Sequence, residues 1–199
     1  MTLSPRVVIP GLLVATLIAY LPAFSAGFIW DDPEYVVQNA LLRSFGGLRA
    51  IWFEPQASPQ YYPLVFTTFW IEHQLWGLWP GGYHAIHILL HAVGGILLWR
   101  LLVILEIPGA ALAAFIWTLH PVQVESVAWI TERKNTLSAV FYFACSIACV
   151  RWLGLDGSFR YTGLRSAFQS RLWVIALALF ICALLSKTVM ASLSATMLL

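Results

Sequence analysis

Charge is what this sequence has least of. Eleven Lys and Arg and nine Asp and Glu make up 10% of its 199 residues, against about 25% in an average soluble domain. The formal net charge of +2 is too small to hold a polyanion, which excludes a nucleic-acid binder. Cysteine is nearly as scarce, with three residues and no CxxC or Cys/His ligand spacing, so neither a disulfide scaffold nor a cysteine metal centre is built in. Cys145, Cys149 and Cys182 lie inside apolar runs and read as small buried residues. Internal repeats and low-complexity tracts are absent. What fills the chain instead is apolar: 60% hydrophobic residues, a mean hydropathy of +0.80, ten Trp, seven Tyr and twelve Phe. A water-soluble fold of this size has no interior large enough for that surface, so a disordered chain, a coiled coil and a soluble enzyme all give way to an integral membrane protein made of helices.

A hydrocarbon core of about 30 Å needs about 20 helical residues. Reading between the charged residues gives five spans, near 7–26, 84–105, 107–120, 135–152 and 172–190, with an external loop over 27–83. The fold class expected is therefore an all-α polytopic transmembrane bundle with interfacial helices in its first external loop. The last three spans are short, which flanking Arg and Lys tolerate by snorkelling. Ala23-Phe24-Ser25 loosely resembles a signal cleavage site, but the apolar run before it is long for a signal peptide, and the first span is read as uncleaved. Pro121 suits the start of a new helix and not the inside of an old one, so 121–134 reads as a separate interfacial or re-entrant segment.

The loop over 151–171 carries Arg151, Arg160, Arg165 and Arg171 against Asp156, which makes it cytoplasmic by the positive-inside rule. Counting back puts the N-terminus inside and the 27–83 loop outside. Within that loop 33–53 reads as an amphipathic helix, and 62–79 as an aromatic-rich stretch ending at the Trp79-Pro80-Gly81-Gly82 turn.

The ionisable residues gather on the external side. Asp31 and Asp32 directly follow the first span. Asp32 before Pro33 and Glu34 has the form of a helix N-cap, yet capping needs one carboxylate. Two at a membrane surface can coordinate a cation or hold a general base. His84, His87 and His91 share one helical face; they read either as polar residues turned into the bundle or as haem or metal ligands. Glu125, Trp129 and Glu132 fall on one face of the segment after His120-Pro121, with Gln123 and Ser126 on another. Arg133 and Lys134 can neutralise a phosphate there, and so can Lys187, which otherwise snorkels. Together, Asp31, Asp32, His84, His120, Glu125, Arg133 and Lys187 suggest a site for a polar substrate with an anionic group, such as a lipid-linked phosphate.

These residues also carry a family resemblance. Phe28-Ile29-Trp30-Asp31-Asp32, Tyr62-Pro63-Leu64, Gly82-Tyr83-His84 through Leu90-His91, His120-Pro121-Val122-Gln123-Val124-Glu125-Ser126-Val127-Ala128-Trp129, Thr131 to Asn135 and Ser186-Lys187-Thr188 run in order along the chain. In this the sequence resembles the TMTC-type membrane proteins, GT-C glycosyltransferases with C-terminal tetratricopeptide repeats, and especially their bacterial members. The resemblance implies inverting transfer of a sugar from a polyprenyl or dolichyl phosphate to a hydroxyl. In the animal members the sugar is mannose and the acceptor a protein Ser or Thr. It implies Asp31 or Asp32 as the catalytic carboxylate. His120, Glu125, Arg133, Lys134, Lys187 and His84 would contact the donor phosphate or substrate. No organic cofactor is implied, and a divalent cation stays open, since GT-C enzymes differ on it. The bacterial inner membrane is the location expected, with the N-terminus cytoplasmic and the Asp31-Asp32 loop periplasmic. The chain itself reads as the N-terminal part of such a module. A non-catalytic anchor for a repeat domain, or a haem or metal protein using the three histidines, are the other readings.

Overall fold

The computed structural model describes residues 3–155 and 166–193, with the side chains of 166–170 left aside. Among the described residues every regular element is helical. The helices are α1 (Pro5–Tyr20), α2 (Phe45–Phe53), α3 (Pro63–Trp76), α4 (Pro80–Ile104), α5 (Ala110–Leu119), α6 (Gln123–Ala128), α7 (Arg133–Leu153) and α8 (Ser166–Ser186). Three stretches are long and apolar enough to cross a membrane: Pro5–Ser25, where a 3-10 turn prolongs α1, Pro80–Ile104, and Ile130–Leu153. The 25 residues of α4 reach about 37 Å at 1.5 Å per residue. The ten of α5 reach only about 15 Å, half the hydrocarbon thickness. The reason is local: Pro108-Gly109 occupies the start of the apolar run 107–120, and His120, in extended conformation before Pro121, ends it. The apolar part of α8, Arg171–Ser186, is likewise short. Of the loop arginines, Arg160 and Arg165 lie outside the described residues, as does Asp156.

The centre of the bundle is α4, which packs against α1, α5, α6 and α7, while α8 packs on α7. Close approach of α4 to α5 depends on Gly95. A Cβ there would stand 2.3 Å from the Thr118 hydroxyl oxygen, and small residues are what let helices meet this closely in a bilayer. Val7, Val14, Leu17 and Ile18 of α1 and Trp173, Val174, Ile175 and Ile181 of α8 remain exposed, an apolar belt of the kind lipid covers.

The segment 33–53 is not one amphipathic helix. It breaks into a wide helical turn at Pro33–Val37, a 3-10 turn at Ala40–Arg43, and α2. The breaks fall at Asn39, whose side chain accepts from the Leu41 N–H (3.0 Å), and Ser44, whose hydroxyl accepts from the Gly47 N–H (3.1 Å). Short polar side chains that capture backbone donors start new helices rather than continue old ones. The pieces fold onto α3 around Tyr35, Leu42, Ile51, Phe66, Phe69 and Tyr83, with Tyr35 and Phe66 stacked at 5.5 Å. The Gln74 amide donates to the Leu42 carbonyl (2.7 Å), and the Trp70 indole to that of Ser44 (2.9 Å). The first loop is thus a folded cap seated on the ends of α4 and α7 that carry Tyr83 and Leu137.

Candidate functional site at one end of the bundle

The acidic pair begins with a strained residue. Trp30 takes φ +48°, a left-handed conformation that costs a residue with a Cβ about 1–2 kcal/mol. Its indole is 71% exposed and meets the edge of the Trp129 ring at 4.8 Å. The turn sends the two carboxylates to different places. Asp31 is exposed. Asp32 is fully buried, and its carboxylate accepts three hydrogen bonds: from the Ile29 N–H (2.9 Å), the Thr131 N–H (2.9 Å) and the Thr131 hydroxyl (2.6 Å). Asp32 therefore does not cap the following turn with its side chain, as its sequence suggested. It ties the first loop to the segment ahead of α7.

Beneath it, Arg133 is 0% exposed. Its guanidinium forms a two-pronged ion pair with Glu72 of α3, with Nη2 to Oε2 at 3.1 Å and a still closer Nη1 to Oε1 contact. Nη1 also donates to the Thr68 hydroxyl (3.3 Å), Nη2 to the Tyr83 carbonyl (3.0 Å), and the group lies 5.1 Å from the Phe69 ring centre. Burial pushes the Glu72 carboxyl up, and the Arg133 charge and hydrogen bonds oppose that rise. Arg133 thus faces a protein carboxylate instead of the surface that the phosphate-binding expectation requires. Burial, with the Asp31 and Glu34 carboxylates adding to it, pushes the Tyr35 phenol up to about 12, which leaves Tyr35 a core ring rather than a base.

His84 is buried, within electrostatic reach of Asp32 and Arg133 and with the Ala26 backbone near its ring. His87 is buried near the Glu132 backbone, and the Nε2 of His91 meets the Thr118 carbonyl oxygen at 2.8 Å, with its ring stacked on Trp117. Among the described residues no three His, Cys, Asp or Glu side chains gather as a metal site would require. The three histidines line the inside of the bundle without forming a ligand set.

A second polar group lies one residue further along from Thr131. The face expected to carry Glu125, Trp129 and Glu132 is interrupted, because the helix ends at Ala128 and Trp129 is extended (φ −92°, ψ 118°) before a 3-10 turn over Ile130–Glu132. Glu125 is exposed by itself on α6. Glu132 pairs with Lys134 (2.8 Å) and accepts from the Asn135 amide (2.5 Å). That amide also donates to the Ser126 hydroxyl (2.9 Å), and its carbonyl oxygen receives the Lys187 ammonium in a close contact. Lys187 is half-buried and has no carboxylate partner among the described residues. His120 is exposed, its Nδ1 accepting from the Val122 N–H (3.2 Å) to close the turn into α6.

Of the residues singled out in the sequence, Asp32 binds Thr131, Arg133 pairs with Glu72, His84 lies within electrostatic reach of Asp32 and Arg133, and Lys134 and Lys187 meet around Glu132 and Asn135. Asp31, His120 and Glu125 stand exposed. The sequence reading missed Thr131, Glu72 and Asn135. Glu72 had a visible signal, being the only acid in the apolar run of α3, where an unpaired charge is costly. Thr131 and Asn135 delimit one of the matching stretches, but nothing in it gave either a role, since Thr131 binds Asp32 and Asn135 binds Lys187 far away in the chain.

No family model matches the sequence, and no solved structure matches it. It is 26% identical over 153 residues to the human protein O-mannosyl-transferase TMTC3, covering 72% of this chain and 17% of that protein. It is 26% identical over 185 residues to the protein O-mannosyl-transferase F38B6.6 of Caenorhabditis elegans (86% and 27%), and 27% identical over 184 residues to human TMTC4 (80% and 24%). The chain spans roughly a fifth of the length of the relatives it matches. With its long apolar helices and this likeness, the chain is an all-α integral membrane protein similar to the TMTC protein O-mannosyl-transferases.

Proposed function

We propose that this chain carries the catalytic end of a membrane glycosyltransferase of the GT-C type, acting in the bacterial inner membrane with that end periplasmic. It moves a mannosyl group from a polyprenyl phosphate to a protein Ser or Thr hydroxyl. Five spans with a cytoplasmic N-terminus, followed in the longer protein by tetratricopeptide repeats, are the topology this requires. The names of the relatives supply mannose and the protein acceptor. The lipid donor is supported by a half-buried Lys187 that follows the apolar α8 and has no carboxylate partner among the described residues.

In the step envisaged, the acceptor hydroxyl gives its proton to the Asp31 carboxylate as its oxygen attacks the anomeric carbon. The bond from that carbon to the phosphate oxygen breaks, and its electron pair leaves with the phosphate. The phosphodiester monoanion becomes a monoester dianion. A cation within reach stabilises that gain of charge more than it stabilises the ground state, and Lys187 fills the role, with Lys134 and His120 at its margin.

The observation that carries this reading is the division of labour in the acidic pair. Asp32, fully buried with three donors already on its carboxylate, is closed off from an incoming acceptor, while Asp31 on the strained Trp30 turn is exposed. The full-length protein in proteoliposomes, supplied with polyprenyl phosphate mannose and an acceptor peptide, tests it. Asp31→Asn is expected to abolish transfer and leave thermal unfolding unchanged. Asp32→Asn, which loses charge-assisted hydrogen bonds each worth about 1.5–3 kcal/mol, is expected to lower stability as well as transfer. Full transfer by Asp31→Asn overturns this reading, and a wild type that transfers nothing is the result the anchor reading requires.

A further inference from the structure

Beside Lys187 and Asn135 the structure has an open-sided cleft of about 330 Å3, within the range of small-molecule sites. Gln123, Ser126, Asn135 and Ser138 line it, with Trp117 and Phe143 among its walls. Most of its polar groups are held. Asn135 spends both amide hydrogens on Ser126 and Glu132, and the Ser138 hydroxyl donates to the Asn135 carbonyl (3.2 Å). Two are not. Among the described residues the Gln123 amide has no hydrogen-bond partner, and the Ser126 hydroxyl, which accepts from Asn135, keeps its own proton to give. The aromatic side is rigid: Trp117 stacks on His91 at 4.8 Å and meets Phe143 edge-on at 5.5 Å.

A primary amide that both donates and accepts, a free hydroxyl proton and a fixed aromatic wall suit one class of ligand. A hexopyranose presents a rim of hydroxyls that donate and accept, and a face of C–H groups whose partial positive charge is drawn to the π-system of an aromatic ring. The Lys187 ammonium at the margin calls for an anionic group on the ligand, next to its sugar ring. We propose that this cleft seats the hexose of a hexosyl phosphate, with Gln123 and Ser126 reading its hydroxyls, Trp117 backing its C–H face and Lys187 meeting its phosphate. The assignment rests on the donor reading above and names the side chains that select the sugar, which that reading leaves unnamed. It also accounts for Asn135, which holds Ser126, Glu132 and Lys187 together and so fixes the hydroxyl reader against the phosphate contact.

The test is binding, measured by calorimetry on the full chain in lipid nanodiscs with three probes: mannose 1-phosphate, a long-chain alkyl mannosyl phosphate and inorganic phosphate. Gln123→Ala and Ser126→Ala are each expected to weaken both hexosyl phosphates about tenfold, the worth of a buried hydrogen bond lost. Both should leave inorganic phosphate unchanged, which also shows that the variants are folded. Lys187→Met should weaken all three. Tighter binding of the alkyl ester than of mannose 1-phosphate assigns the cleft to a bilayer-borne donor, and equal binding to a soluble one. Hexosyl phosphate affinity unchanged in both Gln123→Ala and Ser126→Ala overturns the assignment. So does a wild type that binds inorganic phosphate as well as it binds either sugar ester. Binding is read without turnover, so this outcome is separate from that of Asp31→Asn.

Discussion

Buried charge sets the terms at the scale of single residues. Arg133 reads in the sequence as a cation beside the membrane surface, one residue before Lys134, and the two look interchangeable there. The fold separates them completely: Lys134 keeps a surface partner in Glu132, while Arg133 enters the core against Glu72, Tyr83 and Phe69. Removing one member of such a pair strands the other, at a cost of about 3–5 kcal/mol. Glu72→Gln is therefore expected to lower the thermal stability of the protein markedly in detergent. The double change Glu72→Leu with Arg133→Met should recover most of the loss, because an apolar replacement of both charges leaves nothing stranded. A Glu72→Gln protein as stable as the wild type contradicts the pairing. That an acidic pair follows the first span is legible in Phe28-Ile29-Trp30-Asp31-Asp32. Which of its members is free is not, since that depends on Thr131, 99 residues away.

Helix periodicity located the long elements well and the short ones poorly. The apolar runs near 7–26, 84–105 and 135–152 correspond to α1 with its 3-10 extension, α4 and α7, because each holds enough apolar residues for the pattern to outweigh local chemistry. In 33–53 it does not. Asn39 and Ser44 stand in the sequence as ordinary polar positions of an amphipathic helix, yet their side chains take the backbone donors and restart the chain twice. The break at Trp129 had no comparable mark, since a tryptophan neither caps nor terminates a helix by itself. It follows from the tie at Thr131 and the packing of Trp129 on Trp30. Between the long elements, the α4–α5 contact leaves no room for one added carbon. Gly95→Ala brings a Cβ to 2.3 Å from the Thr118 hydroxyl oxygen, and the helices must part. Overpacking of this kind costs about 1–3 kcal/mol. Gly27→Ala, where a Cβ meets nothing within 4 Å, is the matched control. Thermal unfolding of the two variants side by side checks it, and equal midpoints contradict the tight contact.

For the molecule as a whole, the consequence of the proposed topology is a difference between its two ends. Gln56 in the first loop and Glu106 after α4 are both exposed and lie beyond opposite ends of that helix's path through the bilayer. In intact cells Gln56→Cys is expected to react with a membrane-impermeant maleimide, and Glu106→Cys only after permeabilisation, over the background set by Cys145, Cys149 and Cys182. Labelling of Glu106→Cys in intact cells reverses the orientation. The order of synthesis adds a constraint of its own. The Asp32 carboxylate emerges from the ribosome long before the Thr131 that it binds, and α2 to α6 are made between the two. Until residue 131 has arrived, Asp32 is an unshielded anion at the membrane surface and the Trp30 turn has no Trp129 against which to close. The protein thus assembles its acidic end late, when the seventh helix begins, and a nascent chain arrested before that point holds the first loop with its latch undone.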